Sequence, residues 1–191
     1  MNFYEIQLNF NYKELRLIPN VLSIFRLVLV IPIVYFILNG IEEHRNLILV
    51  LLFVMYVTDI SDGFIARKFN MVSETGKIID PIADKIAVAA IFISLFIYDM
   101  IPVWFFCIVI FRDILILIFG YFVGKKKDII MISNFMGKIT VFGIGLVILL
   151  TILKMELLTP YIRFLYYIVT ILIVYSSILY FFRYKKTIGE H

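Results

Sequence analysis

Residues 59–85, DISDGFIARKFNMVSETGKIIDPIADK, decide the fold because they place acidic side chains between two strongly apolar segments. LILVLLFVMYV (47–57) precedes this stretch and IAVAAIFISLFIY (86–98) follows it. Its four aspartates form two pairs, spaced three and four residues apart: Asp59 with Asp62, and Asp80 with Asp84. On an α-helix each pair shares one face. Two antiparallel helices joined by a short polar turn therefore bring all four carboxylates together.

Ionised carboxylates that crowd at membrane depth repel one another and are costly to desolvate, so they need protons or metal cations. Oxygen ligands suit Mg, Mn or Ca better than zinc, and the stretch contains no Cys or His. The alternative is pairing with the basic residues close in sequence, which are Arg67, Lys68, Lys77 and Lys85. Asp62 and Asp84 fit that alternative poorly, since each shares its face with another acid. The pattern favours a divalent-metal or proton site.

The composition of the whole chain excludes an ordinary soluble domain. Of its 191 residues 63% are hydrophobic, and the mean hydropathy is +1.02. The single cysteine, Cys107, cannot form an intramolecular disulfide and is interpreted as a packing residue. A net charge of +4 is better explained by basic loops of a membrane protein than by nucleic-acid binding. The sequence predicts an all-α, polytopic membrane protein.

Six apolar segments are long enough to cross a bilayer of about 30 Å: 17–38, 47–69, 76–98, 101–123, 133–153 and 160–182. Between them, residues 39–46 (NGIEEHRN) and 68–75 are predicted to form polar connections. Residues 1–17 predict an amphipathic helix lying on the cytoplasmic surface, with a frayed tail as the alternative. The expected organisation is this interfacial helix followed by a six-helix domain at 18–186.

The distribution of basic residues predicts the orientation. Six spans place both termini on one side, together with Lys13, Arg16, Arg67, Lys68, Lys77, Lys125, Lys126, Lys127, Arg183, Lys185 and Lys186. The opposite side receives Arg45, Lys154 and Arg163. The positive-inside rule makes the first side cytoplasmic. The four aspartates then lie in the cytoplasmic half of an integral cell-membrane protein.

Several polar residues stand near the aspartates in the predicted topology. Pro19 suits a first helical turn, which places Asn20, Ser23 and Arg26 in the first two turns of the first span. Arg26 either extends to the lipid headgroups or faces the acidic site or a lipid phosphate. Ser73 can cap the third helix, and Gly76 allows another helix to approach closely.

The motif resembles the complete signature of the CDP-alcohol phosphatidyltransferases, carried by Asp59, Asp62, Gly63, Ala66, Arg67, Gly76, Asp80 and Asp84. The resemblance covers the motif and, more loosely, the membrane organisation of nearly the whole chain. It implies an integral membrane enzyme that transfers a phosphatidyl group from a CDP-linked lipid such as CDP-diacylglycerol to an alcohol, releasing CMP. It also implies a homodimer.

The resemblance implies roles for individual residues as well. Asp59, Asp62, Asp80 and Asp84 are expected to hold two divalent cations, Mg or Mn, and Asp84 is expected to accept the proton of the alcohol. The residues expected at the CDP-lipid are Asn20, Ser23, Gly63, Ala66, Arg67 and Ser73. We expect direct attack on phosphorus, because no Ser, Cys or His stands where a covalent intermediate needs one.

Arg112 and Lys138 are the candidates for binding a phosphate on the acceptor. Adjacent helical side chains diverge, so Arg112 and Asp113 are expected to find different partners. An Arg in the fourth span and a Gly-Lys opening the fifth are similar to phosphatidylglycerolphosphate synthases, whose acceptor is glycerol-3-phosphate. Acceptors that stay open are phosphatidylglycerol, as in cardiolipin synthases, inositol phosphate and serine. Both residues also fit a role in which they only extend to the headgroups or pair within the bundle.

Two other classes of function remain. A cation transporter predicts acidic groups spread over both halves of the bilayer, whereas this chain concentrates its paired acids in one half. An inactive scaffold predicts no effect of replacing Asp80 or Asp84 by Asn. The sequence favours the phosphatidyltransferase.

Overall fold

The computed structural model describes residues 12–69, 71, 73–127, 135–153 and 159–189, and all of its regular elements are helical. A short 3-10 helix, Tyr12–Arg16, precedes six α-helices. Their bounds are α1 Ile18–Leu38, α2 Ile41–Lys68, α3 Glu74–Ile97, α4 Val103–Lys127, α5 Phe135–Leu153 and α6 Thr159–Gly189. The predicted all-α class is confirmed. Most of the predicted interfacial helix, residues 1–11, and Ser133 lie outside the described residues.

The chain divides into two compact units, Met1–Tyr98 and Asp99–His191. In the first unit, α1 packs against both α2 and α3, and the 3-10 helix packs against α1 and α3. Several apolar side chains of α1 and α2 are fully buried. They include Ile33, Ile37, Ile41 and Ile48. α1 is therefore the central element of the unit that contains the motif.

The predicted loop at residues 39–46 is wrong, because α2 already begins at Ile41. Gly40, at φ 133°, makes the turn after α1 in a conformation that other residues rarely adopt. Ile41 is fully buried, which anchors the first turn. Glu42 and Glu43 lie at the positive end of the helix dipole, where carboxylates are stabilising. The polar residues thus begin a helix rather than form a loop.

Ser73 caps α3, as predicted. Its Oγ accepts a hydrogen bond from the Gly76 backbone N–H at 2.9 Å. The predicted close approach at Gly76 is also confirmed, since a Cβ there would lie 2.4 Å from Oδ1 of Asn20 on α1. The start of α3 is therefore held directly against α1.

In the second unit, α6 packs against α4 and α5. A Cβ at Gly143 of α5 would lie 3.0 Å from Val169 of α6, so these two helices approach closely there. The Phe105 ring on α4 meets the Tyr166 ring on α6 edge to face, with centroids 4.7 Å apart. Cys107, predicted to serve packing, lies exposed on α4 and lines an apolar groove shared with α6.

Four helical segments in the described parts of the chain are long and apolar enough to cross a membrane: Ile18–Leu38, Ile41–Lys68, Phe135–Leu153 and Tyr161–Arg183. Many large apolar side chains on their outer faces are exposed, for example Ile31, Phe53, Phe142 and Phe164. Such surfaces suit lipid rather than water. The chain is a multi-pass helical membrane protein. The full set of six spans stays a prediction.

Candidate active site

The four aspartates of the motif lie at the meeting point of α1, α2 and α3. Carboxylate oxygens of Asp59, Asp62 and Asp80 all lie within 4.8 Å of one another. The Asp62 side chain is only 6% exposed, whereas those of Asp59, Asp80 and Asp84 are 47%, 44% and 46% exposed. One acid, Asp62, is therefore buried at the bottom of the site, and the other three remain accessible.

Arg26 of α1 contacts all four acids. One terminal nitrogen, NH2, lies 2.9 Å from Asp59 and also bonds Asp62. The other, NH1, bonds Asp84 and lies 3.4 Å from Asp80. The Arg26 side chain is 3% exposed, so it does not extend to the headgroups. Of the two interpretations from the sequence, the one in which Arg26 faces the acidic site is confirmed.

The acids have an excess of negative charge that suits a cation. If all four are ionised, the single guanidinium leaves a net charge of about −3, and like charges this close repel one another. Opposite oxygen ligands lie about 4 Å apart around Mg²⁺ and up to about 5 Å apart around Ca²⁺. The oxygens of Asp59, Asp62 and Asp80, which lie within 4.8 Å of one another, fit Ca²⁺ as they stand and would have to move closer by less than about 1 Å to bind the smaller Mg²⁺. These residues can hold a divalent cation.

A hydrogen-bond network joins α1 to α3 beside the acids. Ser23 Oγ donates to Oδ1 of Asp80 at 3.3 Å. Asn20, only 2% exposed, donates through Nδ2 to Ser73 Oγ at 2.9 Å and to the Glu14 carbonyl oxygen at 2.7 Å. Asn20, Ser23 and Ser73 thus bond groups of the protein itself, and their contact with the CDP-lipid stays a prediction.

Glu14 on the 3-10 helix completes this network. Its Oε2 accepts a hydrogen bond from the Thr75 backbone N–H at 3.1 Å. The hydrogen bonds from the backbone and side chain of Thr75, with a smaller contribution from Ser73, lower the pKa of Glu14 below its ordinary value. Glu14 is therefore held as a carboxylate at the N-terminus of α3.

The remaining motif residues lie along α2. A Cβ at Gly63 would meet only the Arg67 side chain, at 3.8 Å, so the space beside Gly63 is open. Arg67 is exposed at the end of the helix. The carbonyl oxygen of Ala66 accepts a hydrogen bond from the Met71 backbone N–H at 2.9 Å, where the chain leaves α2. These positions offer an open helix face beside the acids.

Arg112 and Lys138 belong to the second unit. Arg112 is 8% exposed and contacts its neighbour Asp113, with NH1 2.7 Å from Oδ1. The expectation that these two residues find different partners is wrong. Their Cβ atoms diverge, but the long arginine side chain turns back far enough to reach the adjacent carboxylate. Lys138 is exposed near the start of α5. Their contact with an acceptor stays a prediction.

The model of the CDP-alcohol phosphatidyltransferase family matches residues 16–180, which is most of the chain. The chain belongs to the CDP-alcohol phosphatidyltransferase family. This phosphatidyltransferase is therefore a membrane transferase, as the motif predicted.

Curated relatives of two different names are similar to this chain. A CDP-diacylglycerol–glycerol-3-phosphate 3-phosphatidyltransferase of Aquifex aeolicus is 36% identical over 169 residues, covering 85% of this chain and 88% of the relative. A protein of the same name from Mycoplasma pneumoniae is 30% identical, over 63% of this chain and 61% of the relative. The human cardiolipin synthase (CMP-forming) is 37% identical over 60% of this chain but only 38% of its own length.

Two features of the phosphatidyltransferase site were missed by the sequence interpretation. Glu14 bonds a residue 61 positions away, and nothing in the local sequence signals this contact. Arg26 was recognised as a candidate, but its simultaneous contact with four acids depends on how three helices meet. Both features are tertiary, and both come from the N-terminal end of the described chain.

Proposed function

We propose that this phosphatidyltransferase transfers the phosphatidyl group of CDP-diacylglycerol to glycerol-3-phosphate and releases CMP. The single observation that carries the proposal is the meeting of Asp59, Asp62 and Asp80 beside the accessible carboxylate of Asp84. The relative from Aquifex aeolicus, which is aligned over most of both chains, supports this choice of donor and acceptor.

Two divalent cations, Mg or Mn, are assigned to Asp59, Asp62, Asp80 and Asp84. When bound, such ions neutralise a diphosphate and stabilise the charge that develops on the leaving CMP. Asp62 contributes the buried ligand at the bottom of the site, while Asp59 and Asp80 face the accessible side. Arg26 of α1 keeps the carboxylates of α2 and α3 together.

Asp84 is the proposed general base. Its half-exposed carboxylate takes the proton of the acceptor hydroxyl, whose oxygen forms the new bond to phosphorus. The bond between that phosphorus and the phosphate oxygen of CMP breaks in the same displacement. Asp84, the general base, lies one helical turn after Asp80, a metal ligand, so both side chains face the same space.

The donor lipid is proposed to lie along the open face of α2. Gly63 leaves room for the nucleotide, Ala66 lies on the same helix one turn later, and exposed Arg67 contacts the diphosphate. Asn20, Ser23 and Ser73 are proposed to line the side formed by α1 and α3. Their bonds to Glu14 and Asp80 support a second contribution, which is to fix the shape of that side.

For the acceptor, Arg112 and Lys138 are proposed to bind the phosphate of glycerol-3-phosphate. Phosphatidylglycerol is the alternative acceptor, and the similarity to human cardiolipin synthase favours it over inositol phosphate or serine. We further propose that all six helices cross the cell membrane, with the aspartates and both termini on the cytoplasmic side. A homodimer is the proposed assembly.

The experiment is CMP release by purified protein supplied with CDP-diacylglycerol and Mg²⁺ or Mn²⁺. Glycerol-3-phosphate, phosphatidylglycerol, inositol phosphate and serine are compared as acceptors, with no acceptor as the blank. We expect release with glycerol-3-phosphate well above the other three. Release of CMP only with phosphatidylglycerol would show that phosphatidylglycerol, and not glycerol-3-phosphate, is the acceptor. No release with any acceptor would contradict the proposal.

A further inference from the structure

Glu14 connects the N-terminal 3-10 helix to the start of α3. Its carboxylate accepts the backbone N–H of Thr75, a fully buried residue in the first turn of that helix. The first N–H groups of a helix have no partner within it, and its dipole favours a negative charge there. Ser73 satisfies the Gly76 N–H from within the local chain, and Glu14 satisfies the Thr75 N–H from another element.

The same residue is bonded to α1 through its backbone. The Glu14 carbonyl oxygen accepts hydrogen bonds from the Leu17 N–H at 3.0 Å and from Asn20 Nδ2 at 2.7 Å. Asn20 also reaches Ser73 Oγ. One glutamate thus holds α1 through its main chain and α3 through its side chain.

This connection lies within two turns of the acid cluster. Asp80 follows the capped Gly76 by four residues, or about one turn of α3. On α1, Ser23 and Arg26 follow Asn20 by about one and two turns, and both contact Asp80. A shift between the starts of α1 and α3 therefore changes the position of Asp80 relative to the α2 acids.

We propose that Glu14 is a positioning residue for the acid cluster, fixing α3 against α1 so that Asp80 stays at a cation-binding distance from Asp59 and Asp62. Glu14 itself touches neither substrate nor cation. The inference rests on the proposed metal site, and the affinity of that site for a cation is its direct readout.

The test measures the Mn²⁺ dissociation constant of the full-length protein in detergent, from the EPR signal of free Mn²⁺. Loss of a helix cap shifts an equilibrium by roughly 2- to 30-fold, and we expect Glu14→Ala to weaken binding about tenfold. Glu14→Gln keeps an acceptor oxygen but loses the charge, so we expect about threefold. The matched control is Glu43→Ala, which removes an exposed glutamate from the first turn of α2. This variant should bind Mn²⁺ like wild type.

Turnover gives a second readout. Glu14→Ala keeps the backbone carbonyl that Asn20 bonds, so the proposed donor side should hold its shape. We therefore expect Glu14→Ala to lower kcat while leaving KM for CDP-diacylglycerol within about twofold. A Glu14→Ala protein with a lower melting temperature but wild-type Mn²⁺ affinity would overturn the inference, since its role would then be structural only. If Glu14→Ala does not fold, Glu14→Gln decides: weaker Mn²⁺ binding supports the inference, and unchanged binding overturns it.

The wild-type controls separate this inference from the proposed function. Wild-type protein that releases CMP but binds no Mn²⁺ would overturn the metal site and the role of Glu14 with it, leaving the transfer reaction in place. Wild-type protein that binds Mn²⁺ without releasing CMP from any acceptor would contradict the proposed function. In that case the comparison of Glu14 variants by Mn²⁺ affinity still decides the inference.

Discussion

Asp62 is the most deeply buried of the four acids, and Arg26 reaches it from another helix. The guanidinium offers five donors in a planar fork, so it can contact carboxylates from two directions at once. Lysine, with a single ammonium group, cannot bridge four carboxylates in this way. The choice of arginine therefore follows from the number of acids that α2 and α3 bring together.

Glu14 gives a prediction at the residue scale that depends on pH. Its pKa is lowered in the folded protein, so the ionised carboxylate stabilises the fold above the ordinary value of 4.5, and this stabilisation is lost as pH falls through the lowered pKa. The melting temperature of wild type should exceed that of Glu14→Gln at pH 7, and the difference should shrink below pH 4.5. Its hydrogen-bond partners Thr75 and Ser73 do not titrate in this range.

Thermal unfolding of both proteins at a series of pH values in the same detergent measures this difference. Glu43→Gln, which also removes one negative charge, serves as the control for a general charge effect. A difference between wild type and Glu14→Gln that stays constant or grows towards acid pH would contradict the assignment of the Thr75 contact.

At the scale of elements, the contact between α1 and α3 depends on Gly76. The predicted effect of Gly76→Ala is a loss of about 1–3 kcal/mol in the free energy of unfolding, typical of overpacking. The added Cβ would lie 2.4 Å from Asn20 Oδ1 and 2.9 Å from Ser73 Oγ. Asn20 cannot rotate away freely, since its side chain is buried and bonds both Glu14 and Ser73.

The matched control is Gly145→Ala in α5, where an added Cβ has no neighbour within 4 Å. Alanine is favoured over glycine inside a helix by about 1 kcal/mol, so this variant should be neutral or slightly more stable. Melting temperatures in detergent compare the two. If Gly76→Ala were as stable as Gly145→Ala, the close approach of α1 and α3 would be wrong.

The elements themselves were largely predictable, because apolar length and the motif spacing are local properties. Ser73 as a cap and Gly76 as a contact point were both predicted from the sequence and confirmed. The start of α2 was missed because the polarity of NGIEEHRN was interpreted as a loop, although its acids suit a helix N-terminus. The Arg112–Asp113 contact was missed because divergence of Cβ atoms does not limit so long a side chain.

On the scale of the whole molecule, α2 is longer than one crossing of the hydrocarbon core requires, and the orientation of the chain stays a prediction. α2 has 28 residues, or about 42 Å at 1.5 Å per residue, which exceeds a hydrocarbon core of about 30 Å. Its last turn carries Arg67 and Lys68, which suit the headgroup region. Asp59 and Asp62 lie within about three turns of that end, which fits the proposed access of a water-soluble acceptor to the acids.

The sequence predicts the roles of Arg112 and Lys138 less directly than it predicts the roles of the four aspartates. Asp59, Asp62, Asp80 and Asp84 belong to one contiguous motif, whose spacing places each pair on one helix face and puts the two helices next to each other in sequence. Arg112 and Lys138 come from the other unit, and their role depends on packing over long sequence distances. For this reason the motif predicts the reaction class more firmly than the acceptor.

The most direct test of the account compares CMP release by wild type, Asp84→Asn and Asp99→Asn, with CDP-diacylglycerol, glycerol-3-phosphate and Mn²⁺. Loss of a general base typically costs about 10²- to 10⁴-fold, so we expect Asp84→Asn to lose at least 100-fold while CDP-diacylglycerol binding stays within about threefold. Asp99, exposed with φ 58°, is the matched control because asparagine also tolerates that conformation. Its variant should match wild type. Equal rates of CMP release by wild type and Asp84→Asn would contradict the central claim that the acids of α2 and α3 carry the transfer.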